Sequence, residues 1–314
     1  MIQNQFDVDA IPGEKWFPKE SHFEDDMPLY WGDWGVSSEV EKLKAVLMRR
    51  PGKEVDHFDA AAVRFTDEAL DVELMRKQHD DVTEIYRKHG AKVYYVEEQR
   101  EDRPNAVYCR DLMFMTPEGA IITRPGMATR RGEERYIAQA LAKIGVPIVR
   151  TINGDGIFEG ANAMWVDRRT CVLSTGIRCN QSGYDQVAEE LRRQGVTQII
   201  PMQLPYSNIH IDGLLNPASN DVVIGHVSQV PYDVLDALKR KGYKILEAPS
   251  QTEVRALGCN FVALEPGHIL MAEGTPRTQE LLEKNGIRVT TIDVSEILKG
   301  RGSLHCITAY LKRG

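Results

Sequence analysis

Hydrophobic and polar positions repeat along the chain in one order: two short apolar runs joined by a turn, an amphipathic helical stretch, and one more apolar run. In the first clear copy, the hairpin "DLMFMTPEGAIITRPG" turns at Pro117, Glu118 and Gly119. The helix "RRGEERYIAQALAKIG" follows, ends at Gly145, and leads into the strand "VPIVRT". Three further copies begin at "GANAMWVDRRTCVLSTG", "HIDGLLNPASNDVVIGH" and "NFVALEPGHILMAEG".

Four copies at a spacing of about 45 residues indicate an internally repeated α/β architecture. A fifth copy is split: "LKAVLMRRPG", a helix around residues 69–89 and the strand "AKVYYVEE" lie near the N-terminus, and "LHCITAYL" lies at the C-terminus. We predict that this last run is the closing strand of a ring, which would remove exposed sheet edges. The alternation alone also fits an ordinary open α/β sheet.

The sequence predicts an irregular N-terminal arm at residues 1–38 and a single catalytic domain at residues 39–314. The arm carries aromatic, proline and acidic residues without clear periodicity. We expect its tryptophans, Trp16, Trp31 and Trp34, to pack on the body of the protein or on another subunit of a possible homo-oligomer.

Composition and charge argue against several classes of partner. The 314 residues are 42% hydrophobic and 27% charged, which is typical of a globular protein, and the net charge of −7 comes without any basic block. This argues against nucleic acid and anionic membrane as partners. The start has no signal-peptide pattern, and no apolar run approaches the roughly 20 residues of a membrane span. Five scattered cysteines favour reduced thiols, and we expect a cytoplasmic protein.

Five short stretches place polar side chains beside strands in equivalent repeat positions. A cysteine, a histidine and a carboxylate that are far apart in sequence make up a typical thiol-nucleophile site. The thiolate attacks, the histidine moves protons near neutral pH, and the carboxylate orients the imidazole. The stretches are "PNAVYCRD" (Asn105, Arg110, Asp111), "IFEGAN" (Glu159, Asn162), "IRCNQSG" (Arg178), "IHIDG" (His210, Asp212) and "SLHCIT" (His305, Cys306).

Other interpretations of these residues stay open. A cysteine in an apolar strand is most often a small core residue, and Cys109 also lies beside Asp111. A zinc enzyme using His210 and Asp212 and a repeat-built binding protein are the rival functions. No H-E-x-x-H motif or Cys/His cluster supports zinc.

These motifs resemble those of the guanidino-group-modifying enzymes, or penteins, from about residue 40 to the C-terminus. "IITRPGMATRRGE" and "TPRTQELLEKNGIRVTTIDVSE" look like segments of bacterial dimethylarginine dimethylaminohydrolases, whereas "PNAVYCRD" and "HID" look more like arginine deiminase. The resemblance implies a five-bladed α/β propeller of ββαβ units around a central site. It also implies a small guanidino substrate and no metal or organic cofactor.

The resemblance further implies a role for each site residue. Cys306 matches the nucleophile, His210 the general acid and base, and Glu159 the carboxylate that works with the histidine. Asp111 and Asp212 match the pair that binds the guanidinium. The substrate's α-carboxylate would meet Arg130 and Arg178, with Asn105 as a further polar contact.

One departure bears on specificity. The Gly-Gly-Asp that commonly follows the deiminase glutamate is here Gly160-Ala161-Asn162, which removes one charge. Amidinotransferases usually carry aspartate where Glu159 stands. The sequence therefore favours an arginine deiminase-like hydrolase, with an amidinotransferase and a dimethylarginine dimethylaminohydrolase as alternatives.

Overall fold

The fold is built from five β-sheets of three strands each. They are seen in a computed structural model that describes residues 20–60, 63 and 65–314. In each sheet the middle strand pairs antiparallel with one neighbour and parallel with the other, so that the sheets form a five-bladed α/β propeller of ββαβ units. The strands are β1 (Leu43–Met48), β2 (Lys92–Tyr95), β3 (Met113–Thr116), β4 (Gly119–Ile122), β5 (Ile148–Thr151), β6 (Ala163–Asp167), β7 (Thr170–Thr175), β8 (Gln198–Gln203), β9 (Leu215–Pro217), β10 (Val222–Gly225), β11 (Lys244–Glu247), β12 (Val262–Glu265), β13 (His268–Ala272), β14 (Arg288–Ile292) and β15 (Ala309–Arg313).

In each blade one helix connects the hairpin to the parallel strand, and four shorter helices in the described part of the chain lie outside these connections. Within the described ranges, none of them combines the length and the hydropathy that a membrane span needs. The helices are α1 (Phe23–Tyr30), α2 (Val72–Lys88), α3 (Glu133–Ile144), α4 (Gln181–Arg193), α5 (Tyr232–Arg240), α6 (Gln251–Arg255), α7 (Pro276–Lys284), α8 (Ser295–Leu298) and α9 (Leu304–Ile307).

Local sequence signals set the ends of the long helices. The Asp71 side chain accepts a hydrogen bond from the backbone N–H of Leu74 at 3.0 Å and so caps the N-terminus of α2. Asn180 caps α4 in the same way, through the N–H of Gly183 at 2.9 Å. As the sequence predicted, α3 ends at Gly145, whose φ of 83° is in the left-handed region that glycine adopts most easily.

The strands of a blade differ in how deeply they are buried. The two hairpin strands of the second blade, β3 and β4, are buried at every position, whereas β5 is half-buried or exposed along its length. The first blade shows the same contrast between β1 and β2. The hairpins therefore lie in the core, and the turns before them can supply side chains to an interior site.

The ring closes through the first blade. Strand β1 pairs parallel with β2 and antiparallel with β15, and Leu47 lies opposite Ala309. The predicted split unit and its closing strand are therefore confirmed. The closing run is not extended throughout, however, because Leu304–Ile307 forms the one-turn helix α9 before the strand begins. Cys306 thus lies on a helical turn and not in a strand.

The N-terminal arm differs from the prediction in one respect. Residues 23–30 form α1, whose first turn carries three acidic residues that favour the positive end of the helix dipole. Trp34 is buried against Tyr94, with ring centroids 5.6 Å apart, whereas Trp31 is about half exposed. Trp16 lies outside the described residues.

Candidate active site

Five equivalent turns, one in each blade, supply the side chains of the site. Each turn comes directly before the first hairpin strand of its blade, namely β3, β6, β9, β12 and β15. Three of them are single 3₁₀ turns, at residues 109–112, 160–162 and 211–213. The fourth is the turn at residues 256–259, which leads to Asn260, and the fifth is α9. Their side chains are Asp111, Glu159, Asp212 with its neighbour His210, Asn260, and Cys306 with its neighbour His305.

All of these side chains except His305 line a cavity of about 500 Å³. All eight residues to which the resemblance gives a role line it, although they span about two hundred positions of the chain. They are Asn105, Asp111, Arg130, Glu159, Arg178, His210, Asp212 and Cys306.

Cys306 lies at the wall of the cavity between an amide and a carboxylate. The Asn260 amide N–H donates to Cys306 Sγ at 3.2 Å, and Asn260 Oδ1 accepts the backbone N–H groups of His305 and Cys306. Asp212 Oδ2 lies 3.8 Å from the sulfur. Burial, together with the carboxylates of Asp212 and Asp111, raises the pKa of Cys306 well above its ordinary value. The resting site therefore holds a neutral thiol, and a bound cation would favour its ionisation.

His210 is held between two carboxylates. Its Nε2 lies 2.7 Å from Glu159 Oε2, and its Nδ1 lies 3.6 Å from Asp111 Oδ1. Burial alone would lower the pKa of His210, but Asp111 and Glu159 outweigh burial and raise it. A histidine with a raised pKa at this place can donate a proton near neutral pH.

Glu159 is ionised despite complete burial. Burial would raise its pKa, but the hydrogen bond to His210 and the nearby arginines hold the pKa well below its usual range. Glu159 Oε1 also accepts the backbone N–H of Gly126 at 2.9 Å. Its backbone is fixed by Gly160, because a Cβ there would lie 2.1 Å from the carbonyl oxygen of Met113.

Arg130 lines the cavity, but most of its donors are engaged inside the protein, and the expected contact with a substrate carboxylate stays a prediction. Its guanidinium pairs with Asp111 and Glu133 and donates to the carbonyl oxygens of Asn105 and Tyr108. These contacts use the donors on Nε and Nη2, and one on Nη1. Arg130 is therefore placed to neutralise and orient the Asp111 carboxylate.

Arg178 has fewer contacts. Its Nη1 lies 3.3 Å from Glu159 Oε1, and its side chain lines the cavity. Arg178 thus remains the better placed of the two arginines for a carboxylate of the substrate, and this role stays a prediction.

Asp111 offers an unused acceptor. Within the part of the chain that the structure describes, its buried Oδ1 has no hydrogen-bond partner, and the Nδ1 of His210 lies 3.6 Å away. A buried carboxylate oxygen without a donor is costly unless a ligand satisfies it. This oxygen is therefore ready to accept an N–H group of a ligand in the cavity.

The other cysteines lie away from the cavity lining. All four are buried, and burial raises the pKa of each: to about 12 for Cys109, Cys179 and Cys259, and higher still for Cys171. The alternative nucleophile Cys109 is therefore not supported.

Asn162 is also turned away from the cavity. It donates to the hydroxyl of Ser174 at 2.9 Å and to the carbonyl oxygen of Ile209 at 3.1 Å. The residue in which the sequence departs from the deiminase pattern thus holds the segment before His210.

A metal ion is the rival occupant of this site. Among the described residues, ligand atoms of Asp111, Glu159 and His210 lie within 4.8 Å of one another. Both carboxylates already pair with arginines, Arg130 and Arg178, whose positive charges would oppose a divalent cation. These charges oppose the double charge of such an ion more strongly than the single charge of a guanidinium.

Comparison with known proteins gives the family. A family model described as "N,N dimethylarginine dimethylhydrolase, eukaryotic" matches residues 46–313. The chain belongs to this family. The resemblance to the guanidino-group-modifying superfamily is thereby confirmed, and the protein is a guanidino-modifying enzyme of the hydrolase or amidinotransferase kind.

The relatives cover several chemistries. The N(G),N(G)-dimethylarginine dimethylaminohydrolase of Streptomyces coelicolor is 26% identical, over 86% of this chain and 97% of its own length. The arginine deiminase of Borrelia recurrentis is 21% identical, over 88% of this chain and 97% of its own. The solved structure of SxtG, an amidinotransferase from Microseira wollei, is 15% identical with a TM-score of 0.72, covers 89% of this chain and 97% of its own, and shows the shared fold alone.

Sequence reasoning gave no role to five residues that the structure places around the site. Arg110 and His305 stand beside predicted site residues, so adjacency was a usable signal. Glu133 pairs with Arg130 three residues earlier, so its spacing was also a usable signal. Asn260 and Glu39 had none, because their approach depends on how separate blades pack. The five are Glu39, Arg110, Glu133, Asn260 and His305.

Proposed function

We propose that the protein hydrolyses an unsubstituted guanidino group, as arginine deiminases do, and converts arginine or a related compound to a ureido product and ammonia. The observation that carries the proposal is the convergence of two buried carboxylates, Asp111 and Asp212, on the cavity that also holds Cys306 and His210. Carboxylate pairs bind a planar guanidinium through charge-assisted N–H···O bonds.

Binding prepares the nucleophile. Asp111 Oδ1 and the Asp212 carboxylate accept N–H groups of the guanidinium, so that its carbon faces Cys306 Sγ. The positive charge of the substrate offsets the carboxylates that raise the pKa of the thiol. The thiol therefore ionises most readily when the substrate is in place.

The reaction proceeds in two halves. The thiol releases its proton to solvent when the guanidinium binds, and the thiolate attacks the guanidinium carbon. Protonated His210 donates its proton to a departing nitrogen, and ammonia leaves an S-alkyl-thiouronium on Cys306. His210 then takes a proton from water, whose oxygen attacks the same carbon. The C–S bond breaks and yields the ureido product and the free thiol. Glu159 keeps His210 oriented and stabilises its protonated form.

Hydrolysis of a methylated guanidino group is the second candidate. It is favoured by the match to the dimethylarginine hydrolase family and by the Streptomyces coelicolor relative. Against it stands Asp212, because N-methylation removes an N–H group that this carboxylate could accept and adds bulk beside it.

The released amine distinguishes the candidates. Arginine, agmatine and dimethylarginine would each be incubated with the protein in ¹⁸O-labelled water, with and without glycine as acceptor amine. We expect ammonia and ¹⁸O-labelled citrulline from arginine with no added amine. Dimethylamine from dimethylarginine alone would support the second candidate, and ornithine formed only with glycine would support amidino transfer.

Two variants assign the activity to this site. Cys306→Ser should abolish product formation, whereas Cys171→Ala, at a buried cysteine outside the cavity, should retain it. A Cys306→Ser protein that still turns over arginine would contradict the proposal.

A further inference from the structure

His305 directly precedes the nucleophile in the chain. Its imidazole contacts two carboxylates that come from different blades of the propeller. Its Nδ1 is 2.7 Å from Asp212 Oδ2, and its Nε2 is 3.4 Å from Glu39 Oε2. Glu39 in turn accepts a hydrogen bond from Arg110 Nη2 at 3.0 Å. All four side chains are buried, so water screens these charges little.

The two contacts define the protonation state of the imidazole. A neutral imidazole carries one N–H, so that one of its nitrogens would face a carboxylate as acceptor against acceptor. With both nitrogens protonated, His305 donates to Asp212 and to Glu39. Burial would lower the pKa of His305, but the two carboxylates outweigh burial and raise it.

The same pairing sets the charge on Asp212. Burial would raise the pKa of Asp212, whereas His305 lowers it. Asp212 Oδ2 is also 3.8 Å from Cys306 Sγ, so the orientation that His305 imposes points this carboxylate at the reacting sulfur.

We propose that His305 is a positioning residue that, in its protonated form, holds Asp212 ionised and oriented for binding the guanidinium, with Glu39 and Arg110 balancing its charge. This inference rests on the proposed function, because it assigns Asp212 to the substrate cation. His305 itself does not line the cavity, whereas Asp212, to which it bonds, does.

The proposal predicts a specific pH dependence of guanidinium affinity. The cation binds while Asp212 is ionised, and affinity falls as pH drops through the pKa of Asp212. An opposite charge at this range lowers a carboxyl pKa by about 1–3 units, so neutralising His305 moves this acidic limb upward by about that amount. The ionisable groups that face His305 are Asp212, Glu39, Arg110, Tyr310 and the adjacent Cys306.

The experiment measures binding without turnover. In a Cys306→Ser background, the affinity for arginine is measured by calorimetry from about pH 5 to 8, with and without His305→Asn. Asparagine places an amide near the position of Nδ1 and keeps a donor for Asp212 without the charge. We expect affinities within about threefold at pH 8, and a loss of about tenfold or more in the His305→Asn protein at pH 5.

Two comparisons make the result specific. His268→Asn is the matched control, because His268 is buried, bonds to Thr290 and does not line the cavity, and its pH profile should equal that of the parent. For the neutral ligand citrulline, the acidic limb of the affinity profile should not move upward in the His305→Asn protein. An unchanged acidic limb in folded His305→Asn, or an equal loss of affinity at all pH values, overturns the proposal.

A measurement on the unaltered protein covers the case in which the variant does not fold. Nitrogen-15 NMR of sequence-assigned His305 should show both ring nitrogens protonated at pH 7, and a neutral ring would overturn the proposal. A protonated His305 with no turnover of any guanidino compound would contradict the proposed function alone, so the two failures are distinguishable.

Discussion

At the scale of single residues, what separates Cys306 from the other cysteines is access. All five thiols are buried with raised pKa values, so low thiol pKa does not mark the nucleophile in the resting protein. Cys306 alone lines the described cavity, beside two carboxylates that repel a thiolate until a cation binds. Reactivity is therefore tied to the presence of substrate.

The dependence of thiol ionisation on a bound cation can be tested by measuring thiolate absorbance. Addition of a guanidinium compound too small to fill the cavity should raise the thiolate absorbance near 240 nm at pH 8, because the cation lowers the pKa of Cys306. Cys306→Ser should remove the increase, and Cys171→Ala should retain it. An increase that survives in Cys306→Ser would assign it to another cysteine.

The negative charge of Glu159 should contribute more to turnover than its hydrogen bond to His210 does. Glu159→Gln keeps the size of the side chain but removes the charge that raises the pKa of His210. We expect kcat to fall by about 10²–10⁴-fold and the basic limb of the kcat profile to move to lower pH, because His210 loses its proton earlier. Kinetics from about pH 5 to 9 check this.

Glu118→Gln is the control for this variant, because Glu118 pairs with Arg193 away from the cavity. If Glu159→Gln were nearly silent, Glu159 would be only a turn residue that accepts backbone N–H groups.

Glu39 should stabilise the fold in a pH-dependent way. Burial would raise its pKa, but Arg110 and His305 lower it to about 2, from 4.5. Its stabilisation is therefore complete above the unfolded value and is lost as pH falls toward the folded value. Glu39→Gln should cost about 3–5 kcal/mol at pH 7, as for other broken buried pairs, and much less near pH 3.

Denaturant unfolding of both proteins at the two pH values measures this difference. A cost that is independent of pH would show that the Glu39 charge contributes nothing to the stability.

At the scale of elements, the turn before each hairpin decides where a functional side chain lies. In the second and third blades these turns pack against each other, which is why Gly160 has no room for a side chain: a Cβ would lie 2.1 Å and 2.2 Å from two backbone oxygens, those of Met113 and Arg110. Backbone cannot move away as a flexible side chain can.

Gly160→Ala should therefore destabilise the protein by about 1–3 kcal/mol or more and displace Glu159, with loss of activity. Gly213→Ala is the matched control for stability, because Gly213 ends the equivalent turn of the next blade and a Cβ there meets nothing within 4 Å. Thermal unfolding of both variants tests the comparison. Equal melting temperatures would mean that the turns are not in tight contact.

The order of the elements was predictable from the sequence, and their contacts were not. Apolar alternation and the glycine at position 145 located the hairpins and α3, because local periodicity and capping determine them. The helix at Leu304–Ile307 was not predicted, because an apolar run of this length fits a strand equally well. Glu39 and Asn260 approach the site only through contacts with residues that are far away in the sequence, which leave no local pattern.

At the scale of the whole molecule, closure of the ring joins strands at opposite ends of the described chain. Strand β1 at residues 43–48 pairs with β15 at residues 309–313, and the nucleophile precedes β15 by three residues. Contacts between such distant residues form slowly, because loop closure must precede them.

Refolding should therefore restore activity later than secondary structure. After dilution from denaturant, we expect far-ultraviolet circular dichroism to recover first and turnover to follow, since blades 2–5 can form before β15 pairs with β1. Stopped-flow circular dichroism and samples assayed at intervals measure the two rates. Coincident recovery would show that the ring forms in one cooperative step.

The five equivalent turns also bear on how such an enzyme can diverge. Each turn that supplies a functional side chain belongs to a different sheet. A mutation in one turn therefore alters one wall of the site and leaves the other four sheets unchanged. A lineage can thus exchange a leaving amine or an acceptor in single steps without first rebuilding its scaffold. The repeat that makes the fold simple to describe also makes its chemistry open to gradual change.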